Sequence, residues 1–257
     1  MTIYSLVRKR AHRLRDALAQ RVPLSKQFRV RRSIAARYLA GSGIELGALH
    51  APLPVARGVH VRYVDRMSVP DLRRQYPELE HLHLVHPDII DDAERLGTVQ
   101  DGSTDFVIAN HVLEHTEDPI GALGAWLRVV RPGGILYLSV PNKLHTFDRG
   151  RPVTTLEHLV QDHAQGPEGS RRAHYEEWAR LVDRKPEDEI PAHVDRLLQM
   201  AYSIHFHVWT EMEMLALVLH VGSQGASPFS IELVQKNGIE YILILRRLAS
   251  AEETEPA

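Results

Sequence analysis

Residues 43–48 of the 257-residue chain have the sequence Gly-Ile-Glu-Leu-Gly-Ala, which contains the signals of a first strand and the turn that follows it. Its centre has the length of a short strand, and Gly47 follows as a turn residue. A second, alternating run at 59–64 is followed by Asp65, 20 residues after Glu45. Glycine after a first strand lets the backbone approach a ligand, and a carboxylate ending the second strand can bind ribose hydroxyls. The alternative is a tight turn followed by a surface aspartate, because the full Gly-x-Gly-x-x-Gly pattern is absent.

Outward from this stretch, helix and strand signals alternate along the chain. Further strands are predicted at 81–85, 105–109 and 135–140, and helices at 33–39, 69–76 and 118–130. Strands that alternate with helices at this spacing predict parallel crossover units, hence an α/β, doubly wound, mostly parallel sheet.

The end of the pattern adds one helix and a hairpin. Thr210 with Glu213 three residues later has the spacing of a capping box and opens a helix over 211–220. Strands at 229–234 and 239–245 are joined across Asn237-Gly238, a strong hairpin signal, so we expect a C-terminal antiparallel hairpin.

The stretch between the fifth strand and this helix is polar and rich in His, Arg and Glu, with apolar residues at helical spacing. We interpret it as a helical insertion over 143–204. The predicted organisation is a basic N-terminal helical segment at 1–32, a domain at 33–247 that contains the insertion, and a disordered tail at 248–257.

The composition excludes several classes of protein. The chain has 31 basic, 33 acidic and 16 histidine side chains, and no cysteine, which rules out disulfide frameworks, thiolate metal sites and cysteine nucleophiles. No apolar run approaches the roughly 20 residues that span a bilayer. These features fit a cytoplasmic enzyme, and nine of the histidines lie between His111 and His207.

Charge is distributed unevenly along the chain. Residues 1–37 hold 11 Lys/Arg against the single acid Asp16, whereas the other 220 residues hold 20 basic and 32 acidic side chains. This pattern leaves open a solvated helix that packs on the domain or on a second copy in a homodimer, peripheral membrane contact, a targeting segment, or a nucleic-acid arm. The acidic remainder argues against a nucleic-acid substrate.

Five motifs occur in one characteristic order: the Glu-Leu-Gly turn, the aspartate ending strand two, Asp-Ala-Glu-Arg-Leu at 92–96, Asp-Phe-Val-Ile at 105–108 and Arg-Pro-Gly-Gly at 131–134. Together they resemble the class I S-adenosylmethionine-dependent methyltransferases, over roughly 33–142 and 205–247. The resemblance implies a Rossmann-like, seven-stranded sheet. The chain departs from the family at 48–50, where Ala-Leu-His replaces further glycines, so the path of that loop stays open.

The resemblance also implies a cofactor site. Glu45 would lie near the methionine amino group, Gly47 would give backbone access, and Asp65 would bind the ribose diol. The adenine amino group would be held by Asp92 and the backbone of Ala93, and the methionine moiety would lie near the carbonyl of Asn110.

A second motif competes with this interpretation. His111, Glu114 and His115 match His-x-x-Glu-His, a zinc-peptidase signature that requires both histidines on one helix. The methyltransferase alternative is a loop after strand four, and Asp118-Pro119 restarts the chain as a helix only three residues later. We favour the loop.

The stretch after strand five, 141–148, faces the acceptor in a doubly wound sheet. Methyl transfer to an alcohol needs a base, and a neutral imidazole has a suitable pKa. His145 is the predicted general base; the alternative is a structural or lid histidine.

The composition of the insertion indicates which kind of molecule accepts the methyl group. Carboxylates, imidazoles and aromatic rings suit a carbohydrate site, and His158 and Asp162 share a helix face that could also ligate a divalent cation such as Mg²⁺. His205 and His207 flank Phe206 and are predicted to project to one side. The insertion and the 205–210 string resemble sugar O-methyltransferases of polysaccharide biosynthesis, including that of methylmannose polysaccharide. We therefore expect methylation of a sugar hydroxyl; another small molecule or a lipid-linked acceptor is the alternative.

Overall fold

A seven-stranded sheet forms the centre of the computed structural model, which describes residues 24–225 and 227–249. The strands are β1 (Ser42–Leu46), β2 (His60–Asp65), β3 (Ile89–Ile90), β4 (Thr104–Asn110), β5 (Val130–Pro141), β6 (Phe229–Asn237) and β7 (Glu240–Arg247). Their order is β3-β2-β1-β4-β5-β7-β6, and β7 runs antiparallel to both neighbours. The predicted α/β, Rossmann-like sheet with a C-terminal antiparallel hairpin is thereby confirmed.

Helices cover the sheet and build the segment after β5. They are α1 (Leu24–Tyr38), α2 (Val69–Gln75), α3 (Pro119–Val129), α4 (Leu156–Gln165), α5 (Glu168–Leu181), α6 (Ile190–Gln199) and α7 (Glu211–Ser223). Single 3₁₀ turns lie at 77–79, 113–115, 143–145 and 147–150. None of the helices within the described ranges is both long and apolar enough to span a bilayer.

Each face of the sheet buries its own core, because successive strand residues point to opposite faces. On β4, Val107 and Ala109 pack beneath α3 and α7, whereas Phe106 and Ile108 pack against Ile34 of α1 and its neighbours. Strands buried on both faces are typical of a parallel sheet covered by helices on two sides.

The helical segment has a separate small core. Tyr175 of α5 and Val194 of α6 pack with Phe206, which lies in the extended chain after α6. The segment joins the sheet through Phe206, whose backbone N–H donates to the carbonyl of Glu114 at 2.8 Å. It also joins through a bridge between Asn142 and Trp209. The predicted segment 143–204 contains α4, α5 and α6.

Two local predictions differ from the structure. No strand forms at 81–85: this stretch is extended but bonds to a loop, through the Val85 N–H to the Leu49 carbonyl at 2.8 Å, and Leu84 packs under α2. The third strand is instead Ile89–Ile90, paired with β2. The alternating apolar residues at 81–85 therefore predict the extended conformation correctly, but the segment does not pair with a strand.

The first helix crosses a predicted boundary. The sequence predicts a basic helical segment at 1–32 and a separate helix over 33–39, whereas α1 runs without interruption from Leu24 to Tyr38. Residues 1–23 and the tail from 250 onward lie outside the described residues, and so do the predictions made for them.

Candidate active site

A cavity of about 360 Å³ opens at the carboxyl ends of β1, β2 and β4. The strand ends are level, because Leu46 lies opposite both Val64 of β2 and Ala109 of β4. The chain leaves β1 toward β2 and later returns to its other side as β4. Ligands of open α/β sheets bind at this switch point.

Four of the six predicted cofactor residues line the cavity: Gly47, Asp65, Asp92 and Ala93. Gly47 adopts a φ of +56°, a conformation that favours glycine, and its N–H donates to the Val64 carbonyl at 2.9 Å. Burial raises the pKa of Asp65, against hydrogen bonds from the backbone of Met67 and Arg66.

The loop that carries Asp92 is held from both sides. The exposed Asp92 accepts a hydrogen bond from the Glu94 N–H at 2.9 Å, and the Ala93 carbonyl accepts one from the indole of Trp126 at 2.7 Å. Glu94 also lines the cavity, and burial raises its pKa to about 7. The loop is thus fixed at the cavity wall by its own aspartate and by α3.

The other two predicted residues, Glu45 and Asn110, do not line the cavity. Glu45 is 1% exposed, accepts the Leu53 N–H at 2.9 Å and lies 3.4 Å from the Asn110 side-chain nitrogen. Burial raises the pKa of Glu45 to about 7, because these hydrogen bonds compensate only partly for the lost water. Asn110 accepts in turn from the Ser139 hydroxyl at 2.9 Å.

The acidic groups and the Cβ-free turn fit the proposed cofactor chemistry. Asp65 offers a carboxylate at the cavity wall, Glu45 is a buried acid next to the turn, and Gly47 leaves the backbone open. Acidic groups of this kind can bind hydroxyl and ammonium groups.

Sequence reasoning missed several cavity residues. The cavity is also lined by Arg66, Tyr76, Tyr202 and Ser203. Arg66 follows Asp65 directly and could have been found from that position. Tyr202 and Ser203 come from the helical segment, more than 120 residues away in the chain, and no local signal marks them.

His111 follows β4 and lines the cavity with a φ of +55°, which is strained for a non-glycine residue. Its Nε2 lies 2.7 Å from Glu240 Oε2, and Glu240 also pairs with Arg31 of α1. Burial opposes ionisation of Glu240, but the bonds from Arg31 and His111 outweigh it and lower its pKa to about 2. An ionised carboxylate therefore orients the imidazole.

The zinc-peptidase arrangement is not formed. Residues 113–115 make a single 3₁₀ turn, so His111 and His115 do not share a helix face. His111 faces Glu240, whereas His115 Nδ1 bonds to the Ile204 carbonyl at 2.9 Å. The loop interpretation of His-x-x-Glu-His is the one that the structure supports.

Behind this loop lies a buried acid with no hydrogen-bond partner in the described chain. Both side-chain oxygens of Glu114 are buried and unpaired, and burial raises its pKa to about 7. His115 and His205 lie beside it with ring centres 4.7 Å apart, and His205 Nδ1 bonds to Asp148 at 2.7 Å. Burial lowers the pKa of His115 to about 3, so it is neutral at physiological pH.

His145 does not reach the cavity. It lies on the 3₁₀ turn 143–145 with an exposed side chain, outside the cavity wall. The reason is local: the Asn142 side chain accepts the Leu144 N–H at 3.0 Å and closes the chain into a tight turn directly after β5. The geometry therefore does not favour the base role that the sequence predicts for His145.

The other histidines of the helical segment and of the chain after it lie in two groups. His205 contacts Asp148, whereas His207 Nε2 bonds to the Glu117 carbonyl at 3.1 Å. His158 Nε2 lies 3.2 Å from Asp162, as expected for residues four apart on α4. Every group of metal-ligand type within the described ranges contains imidazoles, a donor set unlike the oxygen ligands that Mg²⁺ prefers.

Comparisons with known proteins agree with this geometry. The model of the family described as "Methyltransferase domain" matches residues 40–138. A protein of Mycolicibacterium smegmatis, named as a probable S-adenosylmethionine-dependent methyltransferase, is 32% identical over 97 residues. That match covers 38% of this chain and 34% of the relative, so the chain spans about a third of the relative's length.

Two solved structures match most of this chain. A Rhodobacter sphaeroides protein described as a Zn-dependent alcohol dehydrogenase is 16% identical, with a TM-score of 0.53 over 87% of this chain and 90% of that one. At this identity that likeness concerns the fold alone. An S-adenosylmethionine-dependent methyltransferase of Thermotoga maritima is 13% identical, with a TM-score of 0.48 over 94% and 97%.

The matched segment contains every residue that lines the cavity except Tyr202 and Ser203. The part of this chain that is similar to methyltransferases, residues 40–138, is therefore also the part that builds the cavity at the strand ends.

Proposed function

We propose that this chain transfers the methyl group of S-adenosylmethionine to a hydroxyl of a small polar acceptor, and that the acceptor is a sugar. The observation that carries the proposal is the composition of one cavity. Its wall combines the turn and loops of the methyltransferase domain with Tyr202 and Ser203 of the helical segment. Cofactor and acceptor would therefore meet between β4 and that segment.

The acceptor side suits a polyhydroxylated ligand. Tyr76 and Tyr202 present rings with centres 5.3 Å apart, and Arg66 donates a hydrogen bond to the Tyr76 hydroxyl. Ser203 adds a hydroxyl. Rings that pack on sugar faces, beside groups that hydrogen-bond hydroxyls, are typical of carbohydrate sites.

His111 is the side chain best placed to accept the proton of the acceptor hydroxyl. If its Nε2–H donates to Glu240, then Nδ1 keeps a free lone pair; the nearest acid, Glu114, is 3.7 Å from Nδ1, too far for a hydrogen bond. The bound cofactor supplies the electrophilic methyl carbon. His111 would remove the proton as the acceptor oxygen forms its bond to that carbon, and Glu240 would stabilise the imidazolium.

The activity is tested with purified full-length protein, S-adenosylmethionine labelled at the methyl group, and a panel of mono- and oligosaccharides. Lipid-linked sugars and non-sugar hydroxyl compounds form separate arms. We expect label in a methyl ether of a sugar, with one S-adenosylhomocysteine formed per transfer. Label found only in a non-sugar product would refute the sugar assignment, and absence of cofactor binding by calorimetry would refute the methyltransferase activity itself.

The base assignment is tested by comparing His111→Gln with His145→Gln. Loss of a general base typically lowers turnover about 100-fold or more. We expect the larger loss in kcat for His111→Gln, with the Kd for cofactor within about twofold of wild type. A larger loss in His145→Gln would restore the assignment that the sequence suggests.

A further inference from the structure

Three histidines meet outside the cavity described above, and each comes from a different element. His158 lies on α4, His174 on α5, and His207 on the extended chain before α7. One ring nitrogen of each lies within 4.8 Å of the other two. The Nε2 atoms of His158 and His174 are 3.0 Å apart. Two imidazoles thus direct the same type of nitrogen at a common point.

His207 completes the group with an unpaired lone pair. Its side chain is fully buried, and its Nε2 lies 3.1 Å from the Glu117 carbonyl. Because a carbonyl can only accept, Nε2 carries the hydrogen and Nδ1 keeps its lone pair. Nδ1 is buried and has no hydrogen-bond partner in the described chain. An unpaired buried acceptor costs about 1–3 kcal/mol, so a native structure is expected to supply it with a partner.

A carboxylate lies beside the same point. Asp162 Oδ2 is 3.2 Å from His158 Nε2 and 3.9 Å from His174 Nε2. Asp162 is 6% exposed and accepts a hydrogen bond from the Ser170 hydroxyl at 2.6 Å. Metal ligands are commonly oriented by such outer hydrogen bonds, as the Glu117 carbonyl also orients His207.

From these contacts we propose that His158, His174, His207 and Asp162 bind one divalent transition-metal cation, with zinc the best match. Hydrogen bonds among these residues, without a metal, do not give every ring a partner. A proton shared between His158 and His174 satisfies those two rings but leaves His207 Nδ1 unpaired. A cation at the common point accepts lone pairs from all three rings and from the carboxylate.

The chemical type of the four ligands indicates which class of metal ion would bind. Three imidazoles and one carboxylate, in a chain without cysteine, match the nitrogen and oxygen ligands of four-coordinate zinc sites. With Zn–N distances of about 2.0–2.1 Å, tetrahedral ligand nitrogens lie about 3.3 Å apart. The 3.0 Å between His158 and His174 is close to that value. Mg²⁺ demands mainly oxygen ligands and is disfavoured.

A metal here would have an entry path and a structural consequence. A second cavity of about 240 Å³ is lined by His158, His174 and Glu177. The cation would connect α4 and α5 to the chain that leads into α7. It would therefore fix the helical segment, which also supplies Tyr202 and Ser203 to the methyltransferase cavity.

The proposal is tested by metal analysis of the full-length protein, a measurement that does not depend on methyl transfer. The protein is stripped with a chelator and titrated with Zn²⁺, Co²⁺ and Mg²⁺. We expect one Zn²⁺ or Co²⁺ per chain, visible absorption of the Co²⁺ form, and a higher Tm with Zn²⁺. Millimolar Mg²⁺ should not displace either ion.

Variants locate the site. His158→Ala and His174→Ala remove half-buried ligands and should each lower zinc affinity about 100-fold or more. His163→Ala is the matched control: His163 lies on the same helix but pairs with Asp118 at 2.8 Å, so zinc affinity should stay within about twofold. The proposal is overturned if the stripped wild type takes up neither Zn²⁺ nor Co²⁺. It is also overturned if both ligand variants bind zinc as the control does, or if Mg²⁺ alone binds.

Discussion

Asp65 is the residue whose position most directly links the strand pattern to the proposed cofactor site. It ends β2, lines the cavity, and is kept partly from water, so its pKa is raised. Asp65→Asn retains the shape but loses the charge. Because hydrogen bonds to a charged group contribute about 1.5–3 kcal/mol, we expect the Kd for S-adenosylmethionine to rise about 10- to 100-fold. Calorimetry at pH 8 measures the change.

Asp88 provides the control for this prediction. Its carboxylate accepts the Tyr63 N–H of β2 at 2.8 Å and does not line the cavity. Asp88→Asn should therefore leave the Kd for cofactor within about twofold. Equal losses in the two variants would mean that Asp65 acts through the stability of β2 and not through the ligand.

The sequence could place the site residues that lie next to strand ends and those that belong to a family motif, such as Asp92 and Ala93. Gly47 and Asp65 directly follow or end strands, so strand prediction located them in the cavity wall. Ser203 depends on how the helical segment docks on the sheet, which no local pattern encodes. His145 was misplaced because one side-chain cap from Asn142 turns the chain sharply, and such a cap shifts a side chain without changing any strand.

Helix α7 shows how a local motif stabilises an element. The Thr210 N–H donates to the Glu213 carboxylate at 2.9 Å in the predicted capping box. Glu213→Ala removes that bond and should lower the free energy of unfolding by about 1 kcal/mol, seen as a lower urea midpoint with unchanged slope. Glu211→Ala, an exposed change in the same helical turn, is the control. Equal effects would show that charge at the helix start matters and the capping bond does not.

Elements with their own start and stop signals were predicted well, and those without them were not. Helix α3 begins with the Asp118 cap before Pro119, and the hairpin turns directly after Asn237, with Gly238 and Ile239 between β6 and β7. By contrast, the sequence divides α1 at residue 32, because its basic stretch lacks a clear apolar stripe that would join it to 33–39. The strand predicted at 81–85 failed because pairing depends on a neighbour that only the folded chain supplies.

Within the whole molecule, a series of charged contacts joins the first described helix to the last strand of the sheet. Arg31 of α1 pairs with Glu240 of β7, and Glu240 orients His111 after β4. The basic stretch at the N-terminus is thus partly built into the domain, since Arg31 compensates a buried acid. A boundary at residue 32, as the sequence suggested, would cut through α1 next to this contact.

The buried acid Glu45 should couple pH to both stability and ligand binding of the whole protein. Its pKa is about 7 in the fold against 4.5 ordinarily, because burial disfavours the ionised form. A raised pKa stabilises the fold below about pH 4.5, and this contribution is lost as the pH rises through 7, by about 1.4 kcal/mol per pH unit. The ligand-free protein should therefore have a lower Tm at pH 8 than at pH 6.

Ligand binding should show the opposite trend if Glu45 contacts the amino group of the cofactor, as the resemblance to methyltransferases implies, because an ammonium group binds the ionised carboxylate. From pH 6 to pH 8 the ionised fraction rises about tenfold, and so should the affinity for S-adenosylhomocysteine, which carries the same amino group. The ligand-induced rise in Tm would then grow with pH although the free protein becomes less stable. Glu45→Gln should abolish the pH dependence of the affinity and lessen the fall in Tm, to which Glu94 and Glu114 also contribute because burial raises their pKa values to about 7. Glu211→Gln should leave both dependences as in the wild type. If wild-type affinity is equal at pH 6 and pH 8, Glu45 does not contact the amino group, and its burial serves the fold alone through the Leu53 backbone.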